Sequence, residues 1–173
     1  MSPRQQRPAI GRCAMSLADE RVDPQLKEAM DESLRLYAEG DERFYDFVSD
    51  DVRVYSLDSV EPSLSRDSFR KAFAPTFSVK RDVRVLNMDV QAKGDQAVLA
   101  QALEISIDQI AVFVRQTVIW ERGGERGWQM SHIHNALAGR PISTSGQLPQ
   151  TAAEVQVLNE RIATVAAAVG VAQ

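Results

Sequence analysis

The chain has 173 residues, 44% of them hydrophobic and 25% charged, enough for one domain with its own core plus terminal extensions. A formal net charge of -4 argues against a nucleic-acid binder that works by displacing counterions, and a single cysteine, Cys13, excludes an internal disulfide and any multi-cysteine metal site. No apolar run approaches the roughly 20 residues that a spanning helix needs, and no secretory apolar segment opens the chain, so a cytoplasmic protein without membrane partners is expected.

Residues 1–22 read as a disordered or variable tail, since Arg4, Arg7 and Arg12 make it basic but Pro3 and Pro8 interrupt it. A targeting segment is the alternative, and Met15 is a second possible start. Asp23 and Pro24 then supply an N-cap and a first-turn proline ahead of Leu26, Met30, Leu34 and Tyr37, which predicts an amphipathic helix of about four turns ending at Gly40. Asp41 opens a shorter helix with Phe44, Phe47 and Val48 inside, closed by Ser49, Asp50 and Asp51. A strand follows over Val52 to Leu57, with Asp58 at its end. Ser65 to Phe77 reads as a helix that Pro75 ends early.

The rest of the domain is sheet. Arg81 to Ala92 and Gln96 to Ile107 are rich in strand formers and are joined by Lys93, Gly94 and Asp95; Asp108 and Gln109 turn the chain again. Val112 to Pro141 then forms a long hairpin about a polar segment that holds Gly123, Gly124 and Gly127. Strict alternation puts Val114, Gln116, Val118 and Trp120 on one face, and Trp128, Met130, His132 and His134 together on one face of the return strand. The two histidines of the chain therefore share a direction. After a polar linker, 142–150, a last helix over 151–173 carries a seam of Val155, Leu158, Ile162, Val165 and Val169, too short to stand alone and so expected to dock on the domain or on a second subunit. The result is an α+β domain over 23–141 with helices to one side of a curved sheet.

The closing pattern, with Trp120, Arg122, Gly127, Trp128, Gln129, His132, His134, Ala136, Gly139 and Pro141, together with Gly40-Asp41 and Asp50-Asp51, resembles the nuclear transport factor 2-like superfamily. That group includes SnoaL-like cyclases and ketosteroid isomerases, and the likeness is nearest to the association domain of calcium/calmodulin-dependent kinase II and its bacterial stand-alone relatives. The resemblance implies a cystatin-like cone: a curved antiparallel sheet wrapped around the long first helix, an interior pocket, and a homodimer built through the outer sheet face. Two departures are visible. Glu104 and Val118 stand near the positions where the association domain places pocket arginines, and Ser33, Ser56 and Val118 stand where the isomerases place their tyrosine, general base and second acid.

Polar groups recur close to each lost position, which yields a candidate acid/base set of His132, His134, Asp58 and Tyr37. An imidazole, or a carboxyl raised by an apolar pocket, would move a proton, while a phenol or amide would stabilise an enolate. Glu104, Gln116, Val118, Trp120 and Met130 are the expected pocket residues. The structural alternative stays open for each: Tyr37 as a core residue with a wet tip, Asp58 as a solvated loop residue, Gln116 and the histidines as a satisfied hydrogen-bond cluster. A His-x-His pair suits a metal only with a third ligand that no motif fixes, so no metal and no cofactor are expected. The expected partners are a small hydrophobic molecule and further copies of the chain; the expected activity is either metal-free isomerase, cyclase or dehydratase chemistry, ligand binding without turnover, or assembly.

Overall fold

The computed structural model describes residues 22–56, 60–123, 126–138, 142–143 and 152–169. Helix α1 (Pro24–Glu39) starts where Asp23 accepts a hydrogen bond from the Gln25 backbone N–H, and ends at Gly40, whose left-handed φ of 69° lets its N–H reach the Leu36 and Tyr37 carbonyls. A 3-10 helix (Glu42–Phe47) follows under an Asp41 cap. Strand β1 (Val48–Tyr55) begins earlier than the residue pattern suggested: Ser49, Asp50 and Asp51 belong to the strand and do not close a helix. Its pairing shifts between Val48 and Arg53, so this acidic stretch interrupts the register without breaking the strand.

Helix α2 (Arg66–Phe77) is opened by a capping box in which Ser65 and Ser68 bond reciprocally. It runs through Pro75 to Phe77. Proline in a last turn removes one donor, and the carbonyls left at that end are taken by Arg81, whose guanidinium donates to Thr76, Phe77 and Val79. Gly40 packs directly against this same end. A Cβ there would lie 2.6 Å from the Phe77 carbonyl oxygen, so the close approach of α1 and α2 requires glycine.

Strands β2 (Asp82–Lys93), β3 (Gln96–Ile107), β4 (Ile110–Arg122) and β5 (Trp128–Leu137) form an antiparallel meander, and β1 pairs in parallel with β5, giving the order β1-β5-β4-β3-β2. A two-residue strand, β6 (Ile142–Ser143), pairs with β4 inside the stretch expected to be linker. The β3–β4 turn is built by Asp108 and Gln109, both at positive φ (47° and 65°), as a two-residue hairpin of matching twist demands. Two bulges bend the sheet: the β2–β3 pairing slips between Val85 and Asn87, and the β4–β5 pairing slips between Ile119 and Trp120. With α1 and α2 against the concave side, the fold is an α+β cone.

Its interior holds two apolar clusters. One joins α1, the 3-10 helix and the sheet through Leu26, Leu36, Val48, Val52, Val118 and Trp120. The other lies nearer the β3–β4 turn, where Leu103, Ile105, Ile110, Val112 and Val114 meet Val165, Ala168 and Val169 at the end of α3 (Ala152–Ala168), with Leu158 and Ile162 packed alongside. The seam thus docks on the domain; the side chain of Val155 lies outside the described residues. Among the described residues no helix is long and apolar enough to cross a membrane.

Candidate functional site

The concave face of the sheet, α1 and α2 enclose a cavity of about 300 Å³. Its walls are apolar: Leu99, Leu103, Val114, Val118 and Ile133 from the sheet, Met30 and Leu34 from α1, Phe69 and Phe73 from α2, and Val169 just past α3. Among the described residues no lysine, arginine or histidine lines it. Among the described residues the one lining carboxylate, Asp31, is exposed and paired with Lys27 at 2.8 Å.

Polar groups enter at two places. Ser33, Ser56, Ser63 and Tyr37 contribute hydroxyls, and Gln101, Gln116 and Asn135 stand side by side on three neighbouring strands. Gln101 Nε2 donates to Gln116 Oε1 at 2.7 Å, and Gln116 Nε2 donates to Asn135 Oδ1 at 2.9 Å. Tyr37 stacks on Phe73 at 6.3 Å between ring centroids and carries the Arg81 guanidinium 4.5 Å above its own ring. Burial pushes the Tyr37 phenol above its ordinary 10.0, and the nearby arginine offsets part of that. At neutral pH the phenol is a hydrogen-bond donor with its proton in place. Trp120, which also lines the cavity, has a buried indole N–H without a protein partner among the described residues.

Of the residues that the sequence nominated, Tyr37, Gln116, Val118, Trp120 and Met130 line this cavity. Three nominated residues do not. Glu104 faces the convex side, where it pairs with Arg84 of β2. His132 and His134 also leave the cavity: Trp120 pairs with Met130 but Ile119 pairs with His132, so Ser131 is an extra residue and the face alternation inverts beyond it. Ile133 and Asn135 take the inner positions instead. The expected common face of Met130, His132 and His134 is therefore not formed, and the imidazoles gather with Tyr55 on the convex face, at 5.3 and 6.2 Å between ring centroids. Asp58 lies outside the described residues; Ser56 and Ser63 on either side of it line the cavity.

Gln101 and Asn135 were missed. Gln101 was readable, because the Asp108–Gln109 turn fixes it opposite Gln116. Asn135 became visible only with the bulge. Among the described residues no group of three or more His, Cys, Asp and Glu side chains is placed to hold a metal ion.

A cone with a helix-covered concave face and an interior cavity has known counterparts, and a model of the SnoaL-like domain matches residues 26–138. The chain belongs to the SnoaL-like family. No curated protein sequence matches it. Solved structures that resemble this SnoaL-like protein include the CaMKII hub of S. rosetta, at 21% identity and a TM-score of 0.57 over 68% of this chain and 98% of that one. An NTF2-like protein of unknown function from Pseudomonas putida KT2440 gives 16% identity and a TM-score of 0.60, covering 80% of this chain and 98% of that one. A ketosteroid isomerase-like protein from Erwinia carotovora atroseptica gives 12% identity and a TM-score of 0.54, covering 65% and 93%. At such identities the likeness establishes the NTF2-like fold. Helix α3 lies beyond the matched residues 26–138, and Val169 just past its end lines the cavity.

Proposed function

We propose that this SnoaL-like protein binds a small, uncharged and largely apolar molecule inside the cone. The observation that carries the reading is the cavity itself: about 300 Å³ of apolar wall with a few converging hydroxyls and amides, at the lower end of the size range of small-molecule sites. A cavity of that kind left unfilled forfeits dispersion contacts along its whole lining, which a ligand would restore. Any turnover would draw on Tyr37 as proton donor and on Asp58 as base, an acid/base pair that needs neither histidine.

Self-association is the companion proposal. The convex face presents Tyr55 and Val98, 39% and 41% exposed, beside half-buried Ile119, Phe113 and His132, a wide surface of mixed character. The CaMKII hub and NTF2-like likenesses fit a protein that pairs through such a face.

Native mass spectrometry of the freshly purified chain, followed by denaturation, tests both. A homo-oligomer that releases a neutral organic molecule of low mass supports the reading. An oligomer that carries nothing, before and after exposure to a panel of neutral aromatic compounds, overturns the ligand proposal and leaves assembly.

A further inference from the structure

Resting on the cavity reading above, we infer that Gln101, Gln116 and Asn135 are the recognition strip for the ligand's polar group, and that the ligand carries a hydroxyl or carbonyl and no charge. The three side chains occupy directly paired positions on β3, β4 and β5, all on the concave face. With neighbouring strands roughly 4.8 Å apart, the row spans about 10 Å of cavity floor. Each carboxamide offers two N–H donors and a carbonyl with two lone pairs. The two bonds within the row, at 2.7 and 2.9 Å, use only part of that capacity, and among the described residues the remaining N–H groups and lone pairs meet no protein partner.

The unused amide groups of the row are not among the buried unpaired atoms and so stay open to water from the cavity, which a matching ligand group can replace without loss of hydrogen bonding. Which end is donor and which acceptor depends on how the amides are turned, but reversing all three only exchanges the ends. Either way the row presents donors and acceptors side by side and no net charge. A hydroxyl can do both jobs and a carbonyl one of them. A carboxylate, phosphate or ammonium would enter an apolar enclosure in which, among the described residues, no lysine, arginine or histidine stands and the one carboxylate, Asp31, is already paired.

The test is calorimetric titration of the full chain with four bicyclic probes that differ in one group: naphthalene, 2-naphthol, 2-naphthoate and 2-naphthylmethylammonium. The expected result is 2-naphthol binding about tenfold more tightly than naphthalene, with both ions weaker than either. Gln116→Met, which keeps the length of the side chain and removes the amide at the centre of the row, should bring 2-naphthol to within about threefold of naphthalene. Asn135→Leu serves the same purpose if Gln116→Met does not fold. Equal binding of naphthalene and 2-naphthol by the unaltered chain, tightest binding of 2-naphthoate, or a variant that keeps the preference for 2-naphthol would each overturn the inference while the cavity reading stands. Binding of none of the four, by a protein that also carries nothing on purification, overturns the cavity reading itself.

Discussion

His132 stands directly opposite Ile119 on the convex face, although Met130, two residues earlier, stands opposite Trp120 in the cavity. Ser131 is the residue that separates these two registers. Its consequence is functional, because it turns both imidazoles away from the apolar cavity enclosed by the sheet, α1 and α2. Replacing both histidines, as His132→Ala with His134→Ala, should leave ligand occupancy in native mass spectrometry within about twofold of the unaltered protein. Stability should fall by about 1 kcal/mol, through loss of the ring contacts with Tyr55. Loss of the bound molecule in that variant would mean that the histidines reach the cavity after all.

Gly40 and Gly94 share a left-handed backbone, at φ 69° and 61°, but differ in their surroundings. A methyl group added at Gly94 would have no heavy atom within 4 Å, so Gly94→Ala should cost only the conformational penalty, about 1 kcal/mol. At Gly40 the same methyl would meet the Phe77 carbonyl oxygen at 2.6 Å and the Ser78 carbonyl carbon at 2.9 Å, so α1 and α2 must move apart. Gly40→Ala should therefore cost about 3 kcal/mol or more. Urea denaturation of both variants checks this: equal midpoints would show that the contact is not tight.

How much of this was legible beforehand depended on whether a residue announces its own geometry. Asp23-Pro24 and Gly40 mark the ends of α1 because capping and left-handed backbone are local demands, and Asp108-Gln109 marks a hairpin for the same reason. The cone followed from those signals together with the resemblance at Trp128-Gln129 and its neighbours. Ser131 announces nothing. A bulge inserts one residue without any required side chain, and its only trace is that buried Met130 and Ile133 sit three apart where a regular strand would place them two or four. That odd spacing was available, but a period-two reading of Trp128, Met130, His132 and His134 overrode it. The early start of β1 was hidden similarly, since Ser49, Asp50 and Asp51 have poor strand propensity and lie within the strand between its paired residues Val48 and Arg53.

Asp41 sets part of the acid sensitivity. Hydrogen bonds from the Arg43 side chain and backbone hold its carboxyl down to about 2, from an ordinary 3.8. A depressed carboxyl adds stability that is complete above the unfolded value and disappears as pH falls through the folded one, so this contribution is lost between about pH 4 and pH 2. Asp41→Asn keeps an acceptor for the Arg43 N–H but no longer titrates. The decline of unfolding free energy over that interval should be shallower in the variant, measured by urea denaturation at stepped pH; an unchanged slope would remove Asp41 from the account.

Tyr45 buries its hydroxyl without a protein hydrogen-bond partner among the described residues, amid Phe44, Phe69 and Phe77. Burial pushes its phenol up to about 12. Because the folded value is raised, the contribution is present below pH 10 and fades as pH rises toward the folded value. Tyr45→Phe should be neutral or stabilising by about 1 kcal/mol at pH 7, since it removes an unpaired polar group and keeps the ring. It should also flatten the alkaline limb. Destabilisation by more than about 1 kcal/mol at pH 7 would reveal a hydrogen bond to that hydroxyl.

Val165 is where α3 is most exposed to a decisive test. It is 3% exposed, packed with Leu103, Ile105 and Val112 in the second apolar cluster, and one helical turn before Val169, which lines the cavity. An aspartate at this position would be an unpaired charge among aliphatic side chains, and the cheapest response is for α3 to leave the sheet, since most of the domain's cooperative structure lies in β2 to β5. Val165→Asp should therefore abolish amide-exchange protection over 152–168, keep it in β3 and β4, and lower overall stability by about 2–4 kcal/mol. With Val169 withdrawn, the cavity loses a wall, so bound ligand should be released more than about tenfold faster. Full protection of α3 in the variant would mean that the helix is held by contacts other than this seam, and unchanged ligand release would mean that the cavity is closed without it.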